Sequence, residues 1–164
     1  TLQACVLMGA ERIVVADVID RRLEKALQLG AWHVINGRKE DTVDRSRALF
    51  GGDGADIVFE TAGSRVTAMQ SFASVRRGGE VMIVGTIPGE TPVDFLKINR
   101  EVKVQTVFRY ANNFPMTIQA ISSGRFDVLT MVTDEYTYED VQKAFEESLS
   151  RKAEIIKGVI KISD

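Results

Sequence analysis

The run Ile13-Val14-Val15-Ala16-Asp17 stops on a carboxylate, and Arg22 stands at the head of the patterned helix that follows. Apolar residues in unbroken succession make a strand covered on both faces, the mark of a parallel sheet. An acid at the carboxyl end of such a strand accepts hydrogen bonds from both hydroxyls of an adenosine ribose. Strand, acid and helix in this order point to a dinucleotide-binding α/β fold. The turn G-x-G-x-x-G that cradles a pyrophosphate belongs just upstream, yet none occurs before Asp17, and the chain opens at Thr1 in helix-like sequence.

Strand and helix alternate outward from this point. Leu2 to Met8 is apolar nearly all round, which predicts a buried helix capped at Gly9, ahead of a strand over Arg12 to Ala16. Asp20 is the expected N-cap of a helix over Arg21 to Leu29, with Leu23, Ala26 and Leu27 on its inner face and Gly30 closing it. A strand at His33 to Ile35, a polar helix from Glu40 to Phe50 and the turn Gly51-Gly52-Asp53-Gly54 lead to a strand at Asp56 to Phe59. Gly63-Ser64 opens a helix whose Val66, Met69, Phe72 and Ala73 share a face, and Gly78-Gly79 delivers the strand Val81 to Val84. A long loop over Gly85 to Arg100, holding Pro88, Gly89 and Pro92, precedes a strand at Val102 to Val107 and a helix from Asn113 and Pro115 to Gly124. Continuous apolar strands separated by helices predict a doubly wound parallel sheet, Rossmann-like, lacking its first strand and glycine loop.

The rhythm breaks after Gly124, so the expected division is a partial dinucleotide-binding domain over 1–124 and a C-terminal segment over 125–164. In that segment an irregular stretch precedes Thr137-x-x-Asp140, a helix start signal, and a helix carrying Val141, Ala144, Phe145 and Leu149. The strand Val159 to Ile162 has no sequential partner and is expected to pair outside the sheet.

Composition removes several function classes. With 21 basic against 23 acidic residues among 164, the chain carries no basic stripe for nucleic acid, which is not an expected partner. The longest apolar runs are strand-length, short of the ~20 residues of a membrane span, and no export signal opens the chain, so no membrane partner and a cytoplasmic location are expected. Cys5 is the only cysteine and His33 the only histidine, which excludes a disulfide framework and a clustered soft-ligand metal site within the chain. Cys5 reads as core filler and His33 as structural.

The candidate residues stand at strand ends. Asp17 is either a solvated strand terminus or a ribose acceptor, and binding crevices at the carboxyl ends of strands favour the second. Arg22 either clamps a 2′-phosphate or pairs with Asp17 or Asp20; since Asp17 would repel that phosphate, the pair favours NAD over NADP. Glu60-Thr61-Ala62-Gly63 and Val84-Gly85-Thr86 place small residues where a ring or ribose approaches the backbone closely, although small residues also simply make turns. Val107-Phe108-Arg109-Tyr110 joins a guanidinium to a phenol, both binders of hydroxyl and carboxylate groups, with surface pairing and rim packing as the alternative. The turn Gly51 to Gly54 precedes a strand rather than a helix, so it is not a phosphate loop.

Taken together, Met8-Gly9-Ala10, Asp17 with Arg22-Leu23, Glu60-Thr61-Ala62-Gly63, Gly78-Gly79 leading to Val84-Gly85, and Val107-Phe108-Arg109-Tyr110-Ala111-Asn112 with Pro115 resemble the zinc-containing medium-chain dehydrogenases. Within them the pattern is most similar to the polyol branch of sorbitol and xylitol dehydrogenases. The resemblance implies that Asp17 and Arg22 hold the adenosine end of NAD. It further implies that Val84, Gly85 and Thr86 contact the cofactor nearer the nicotinamide, that Val107, Phe108 and Arg109 line the same cleft, and that Arg109 and Tyr110 reach a polyol substrate. A zinc ion that polarises the alcohol would be held by sequence preceding Thr1, as would the first strand, the glycine loop and the proton relay, leaving no catalytic residue in this chain. The C-terminal segment would return to a catalytic domain, and the whole enzyme would be a homodimer or homotetramer oxidising a secondary alcohol to a ketone.

Three other readings stay open. Threonine or a simple alcohol replaces the polyol within the same family; a nucleoside-cofactor methyltransferase uses an acid at the same strand end, although its reversed final hairpin is not legible here; and a non-enzymatic NAD-binding or assembly module would use the sheet edge at Val102 to Val107.

Overall fold

A computed structural model describes residues 1–98 and 100–162. The elements follow as α1 (Leu2–Leu7), β1 (Val14–Asp17), α2 (Asp20–Gln28), β2 (His33–Asn36), α3 (Thr42–Leu49), β3 (Ala55–Glu60), α4 (Arg65–Ser74), β4 (Val75–Ile83), α5 (Phe95–Ile98), β5 (Lys103–Thr106), α6 (Phe114–Ser122), β6 (Asp134–Thr137), α7 (Val141–Ser150) and β7 (Gly158–Lys161). The alternation read from the sequence is present, and the protein is a mixed, Rossmann-like α/β chain with parallel sheets. Among the described residues β1 pairs with β2, β3 with β4 and β4 with β5, and β6 with β7. Among those residues only β4 has hydrogen-bonded neighbours on both sides. The chain forms two compact units, one from Ile35–Phe114 and one from Leu2–Val34 together with the chain from Pro115 onward.

In the first unit, β3, β4 and β5 run parallel, with Glu60 opposite Ile83 and Ile83 opposite Thr106. Val81 at the centre is fully buried, and Ala55 and Val75 pack near the start of the β3–β4 ladder. The helices are begun by side chains that satisfy free N–H groups: Asp41 accepts from Asp44 N at 2.9 Å before α3, and Ser64 from Thr67 N at 3.1 Å before α4. The face of α4 differs from expectation. Ala68, Ser71 and Ser74 are its buried residues, whereas Val66 and Met69 are exposed, because a helix lying closely on β3 and β4 admits small side chains at the contact. Ile57 and Phe59 on β3 are also exposed, so that apolar strand is not covered on both faces by the described residues. The expected loop after Gly85 contains the short helix α5.

In the second unit, α2 packs Leu23 and Ala26 against β1. Its N-cap position is Ile19 rather than Asp20, which lies in the first turn, and the Asp17 carboxylate accepts from Val18 and Ile19 N–H instead. Helix α1, expected to be buried, contains no buried residue; Cys5 is half-buried, and the Gln3 amide exchanges two hydrogen bonds with the backbone of Asp127 at 2.8 and 2.7 Å.

The end of the chain also departs from expectation. The stretch read as irregular ends in β6, and although the final strand pairs outside the β3–β4–β5 sheet as expected, it does have a sequential partner: Asp134–Thr137 pairs in parallel with Gly158–Lys161. The partner lies within the chain because α7 forms the crossover that parallel pairing needs. A clasp secures this unit. Tyr136 is buried and its hydroxyl donates to Glu147 Oε2 at 2.9 Å, while Arg151 reaches Glu147 at 2.8 Å, Asp134 at 3.1 Å and Glu154 at 2.9 Å. The hydrogen bond from Tyr136 and the one from Arg151 hold the Glu147 carboxyl below the usual carboxylate range. Burial and the neighbouring Glu147 raise the Tyr136 phenol.

A carboxyl depressed in this way stabilises the fold above its unfolded pKa and loses that contribution as pH falls through the folded value. Hydrogen exchange of the β6 and β7 amides should therefore accelerate, relative to chemical exchange, as the full-length protein is taken from neutrality to about pH 3, below the ordinary glutamate range. In Glu147→Gln protection should start lower and change less; parallel curves for the two proteins would show that the clasp contributes nothing.

Candidate functional site

The parallel register decides what meets at the carboxyl edge of β3, β4 and β5. With Glu60, Ile83 and Thr106 aligned, the segments that follow them leave from one edge. Val84 N and Gly85 N both donate to the Glu60 carbonyl, at 2.8 and 2.9 Å, and Val107 N donates to the Ile83 carbonyl at 2.8 Å. The expected residues Val84, Gly85, Thr86 and Val107 are thereby brought into one row.

The turns after β3 and β4 touch backbone to backbone. Gly63 has a φ of +71°, and a Cβ there would lie 2.8 Å from the Thr86 carbonyl oxygen. A Cβ on Gly85 would lie 2.5 Å from Glu60 Oε2 and 2.6 Å from Gly63 Cα, and would also strike Gly63 N. These glycines are therefore more than turn formers: their missing side chains are the space in which the two turns meet.

The sequence offers the segment that Glu60 opens for its small residues alone, yet in the structure the Glu60 carboxylate organises this corner. It is 3% exposed, and its Oε1 accepts from Ala62 N at 3.0 Å, Gly63 N at 2.9 Å and Thr67 Oγ1 at 2.6 Å. Oε2 is buried with no hydrogen-bond partner among the described residues. An acid followed at once by small residues is a faint sequence signal, because an exposed turn has the same composition.

Beyond Val107 the segment is exposed. Phe108 and Tyr110 stand open, the Arg109 guanidinium lies 5.1 Å from the centre of the Phe108 ring, and Tyr110 packs edge-on against Phe114 at 5.1 Å. Arg109 and Asn112 have φ values of 56° and 57°, a left-handed conformation that side chains disfavour. The Arg109 and Tyr110 side chains thus sit on a sharply bent segment at the carboxyl edge.

In the second unit Asp17 is the last residue of β1. Its Oδ1 accepts from Val18 N at 2.7 Å and Ile19 N at 3.0 Å, and Oδ2 faces Arg22 Nη1 at 3.7 Å. The carboxylate is fixed through one oxygen and its side chain is partly exposed, a geometry suited to accepting hydrogen bonds from hydroxyl groups. Arg22 also donates to the Lys152 carbonyl at 3.2 Å, so it is held at this corner from two sides.

No group of three or more His, Cys, Asp or Glu among the described residues is placed to hold a metal ion. The donor set here does not fit a zinc site. Among those residues no helix is long and apolar enough to cross a membrane.

Parallel strands, small residues at their carboxyl ends and a strand-terminal aspartate define the class as a Rossmann-like α/β protein. The family model described as zinc-binding dehydrogenase matches residues 1–123, and the chain belongs to that family. It is 63% identical over 164 residues to the zinc-type alcohol dehydrogenase-like protein YdjJ of Escherichia coli K12, covering the whole of this chain and 47% of that protein. It is 38% identical over 156 residues to the sorbitol dehydrogenase of Bacillus subtilis, covering 93% of this chain and 44% of the relative. A crystal structure of an Escherichia coli oxidoreductase/dehydrogenase of unknown specificity superposes with a TM-score of 0.95 at 63% identity, over 99% of this chain and 47% of that one. The chain spans about half the length of the relatives it matches.

The contact between the two turns gives a direct test. Gly85→Ala should destabilise the full-length protein by about 1–3 kcal/mol, the scale of forced overpacking, measured by urea unfolding. A variant as stable as the parent would mean that the turns separate freely.

Proposed function

We propose that this chain is the NAD-binding portion of a zinc-dependent dehydrogenase that oxidises a secondary alcohol of a polyol to a ketone. The observation that carries the proposal is Asp17, fixed at the end of β1 with Oδ2 left toward Arg22. A carboxylate accepts hydrogen bonds from ribose hydroxyls and repels a 2′-phosphate, which favours NAD over NADP. NAD, when bound, supplies the hydride acceptor. In this reading Asp17 and Arg22 bind the adenosine ribose, while Val84, Gly85 and Thr86 offer close backbone approach nearer the nicotinamide. Val107, Phe108 and Arg109 line the cofactor cleft, and Arg109 and Tyr110 bind substrate hydroxyls.

The substrate class rests on relatives: sorbitol dehydrogenase of Bacillus subtilis at 38% identity and L-idonate 5-dehydrogenase of Vitis vinifera at 34%. Zinc, in this proposal, is held outside the present chain. A homodimer or homotetramer and a cytoplasmic location complete the proposal.

In the full-length protein, Asp17→Ala should weaken NADH binding by ~1–3 kcal/mol, the worth of hydrogen bonds to a charged acceptor. A fluorescence titration would read this as roughly a fivefold to 150-fold rise in Kd. Unchanged affinity would remove the ribose assignment. The full-length protein should reduce NAD with sorbitol or xylitol, and the 164-residue chain alone should not. Turnover with threonine alone would move the substrate class, and turnover by the isolated chain would show that it is catalytically complete.

A further inference from the structure

We infer that Glu60 is a positioning residue for the cofactor, locking the turn after β3 to the turn after β4 so that Val84, Gly85 and Thr86 are held ready for it. The inference rests on the proposal that these residues contact NAD.

Glu60 works through both its ends. Its backbone carbonyl takes Val84 N and Gly85 N, the first two N–H groups of the turn after β4. Its carboxylate folds back and takes Ala62 N and Gly63 N, which belong to the turn after β3. Thr67, in the first turn of α4, adds a third donor to the same carboxylate oxygen. One residue therefore holds two loops and a helix start in a single arrangement.

Capping does not explain the acid. The N-cap of α4 is already filled by Ser64, whose Oγ accepts from Thr67 N. Stability alone does not explain it either. Oε2 lies buried against Gly85 with no partner among the described residues, and a buried acceptor left without a donor costs free energy. The core residues Ala55, Val75 and Val81 lie elsewhere along β3 and β4, so the fold has other support. Local cost retained at a strand end that faces a proposed ligand is the pattern of a functional constraint. The absence of a side chain on Gly85 is what admits Oε2, and hence the acid and the glycine form one device.

The test is made in the full-length protein with NADH as probe and Asp17→Ala alongside. Glu60→Ala should raise the Kd for NADH and the KM for NAD at least tenfold while the KM for the alcohol holds. Glu60→Gln, which retains one acceptor oxygen for Ala62 N and Gly63 N, should stay within about threefold of the parent. A residue that only supports the fold would lower the melting temperature and leave the Kd of the folded protein unchanged. Unchanged NADH affinity in folded Glu60→Ala, with weakened binding in Asp17→Ala, overturns the inference and leaves the NAD assignment standing. A parent protein that does not bind NADH overturns both. If Glu60→Ala does not fold, Thr67→Val carries the test: a two- to fivefold loss restored by Thr67→Ser supports the lock, and unchanged affinity overturns it.

Discussion

The parallel register of β3, β4 and β5 is the constraint from which the first unit follows. A parallel ladder aligns like ends of strands, so Glu60, Ile83 and Thr106 stand abreast and every segment leaving them emerges at one edge. Segments distant in sequence, around residues 62, 85 and 107, become neighbours for that reason alone. The price of such alignment is crowding, since two turns leave adjacent strands with little room between them. Gly63 and Gly85 relieve it by giving up their side chains, and Glu60 fills the remaining space with a carboxylate whose donors come from both the turn and the helix beyond it.

The second unit solves a different problem. Among the described residues its β6–β7 pair is two strands wide, too narrow to stand without packing on another element. Tyr136 supplies that packing, and its hydroxyl finds the Glu147 carboxylate on α7, the helix that links the two strands. Arg151 then gathers Glu147, Asp134 and Glu154 at the end of that helix. Individually such partly exposed pairs are weak. On one guanidinium they tie α7 to β6 through Asp134 and Glu147.

Much of the architecture was legible because its signals are local. The apolar run into Asp17, the helix start at Ser64 and the glycines at Gly30 and Gly124 each express a rule that operates within a few residues. What was misread depends on neighbours far along the chain. The apolar face of α4 looked like its buried face, but contact with β3 and β4 selected Ala68, Ser71 and Ser74. Helix α1 looked buried because burial was inferred from composition, and no described residue covers its apolar side chains fully. The last strand looked partnerless because Asp134 to Thr137, with two acids in four residues, carries almost no strand signal. The segment Glu60 to Gly63 is legible for its small residues, but the inward role of the Glu60 carboxylate is not, because an acid before small residues reads equally well as an exposed turn.

The sequence by itself determined the alternation of strands and helices, the family pattern and the placement of Asp17 at a strand end, since periodicity and turn chemistry are encoded residue by residue. Only the tertiary structure decided that the Glu60 carboxylate turns inward, that Gly63 and Gly85 lie in contact and that Asp17 is fixed through one oxygen while the other faces Arg22. The physical reason is common to all three. Side-chain direction and donor pairing at a strand end are set by which strand lies alongside and in what register, and register is a property of the assembled sheet rather than of any one segment.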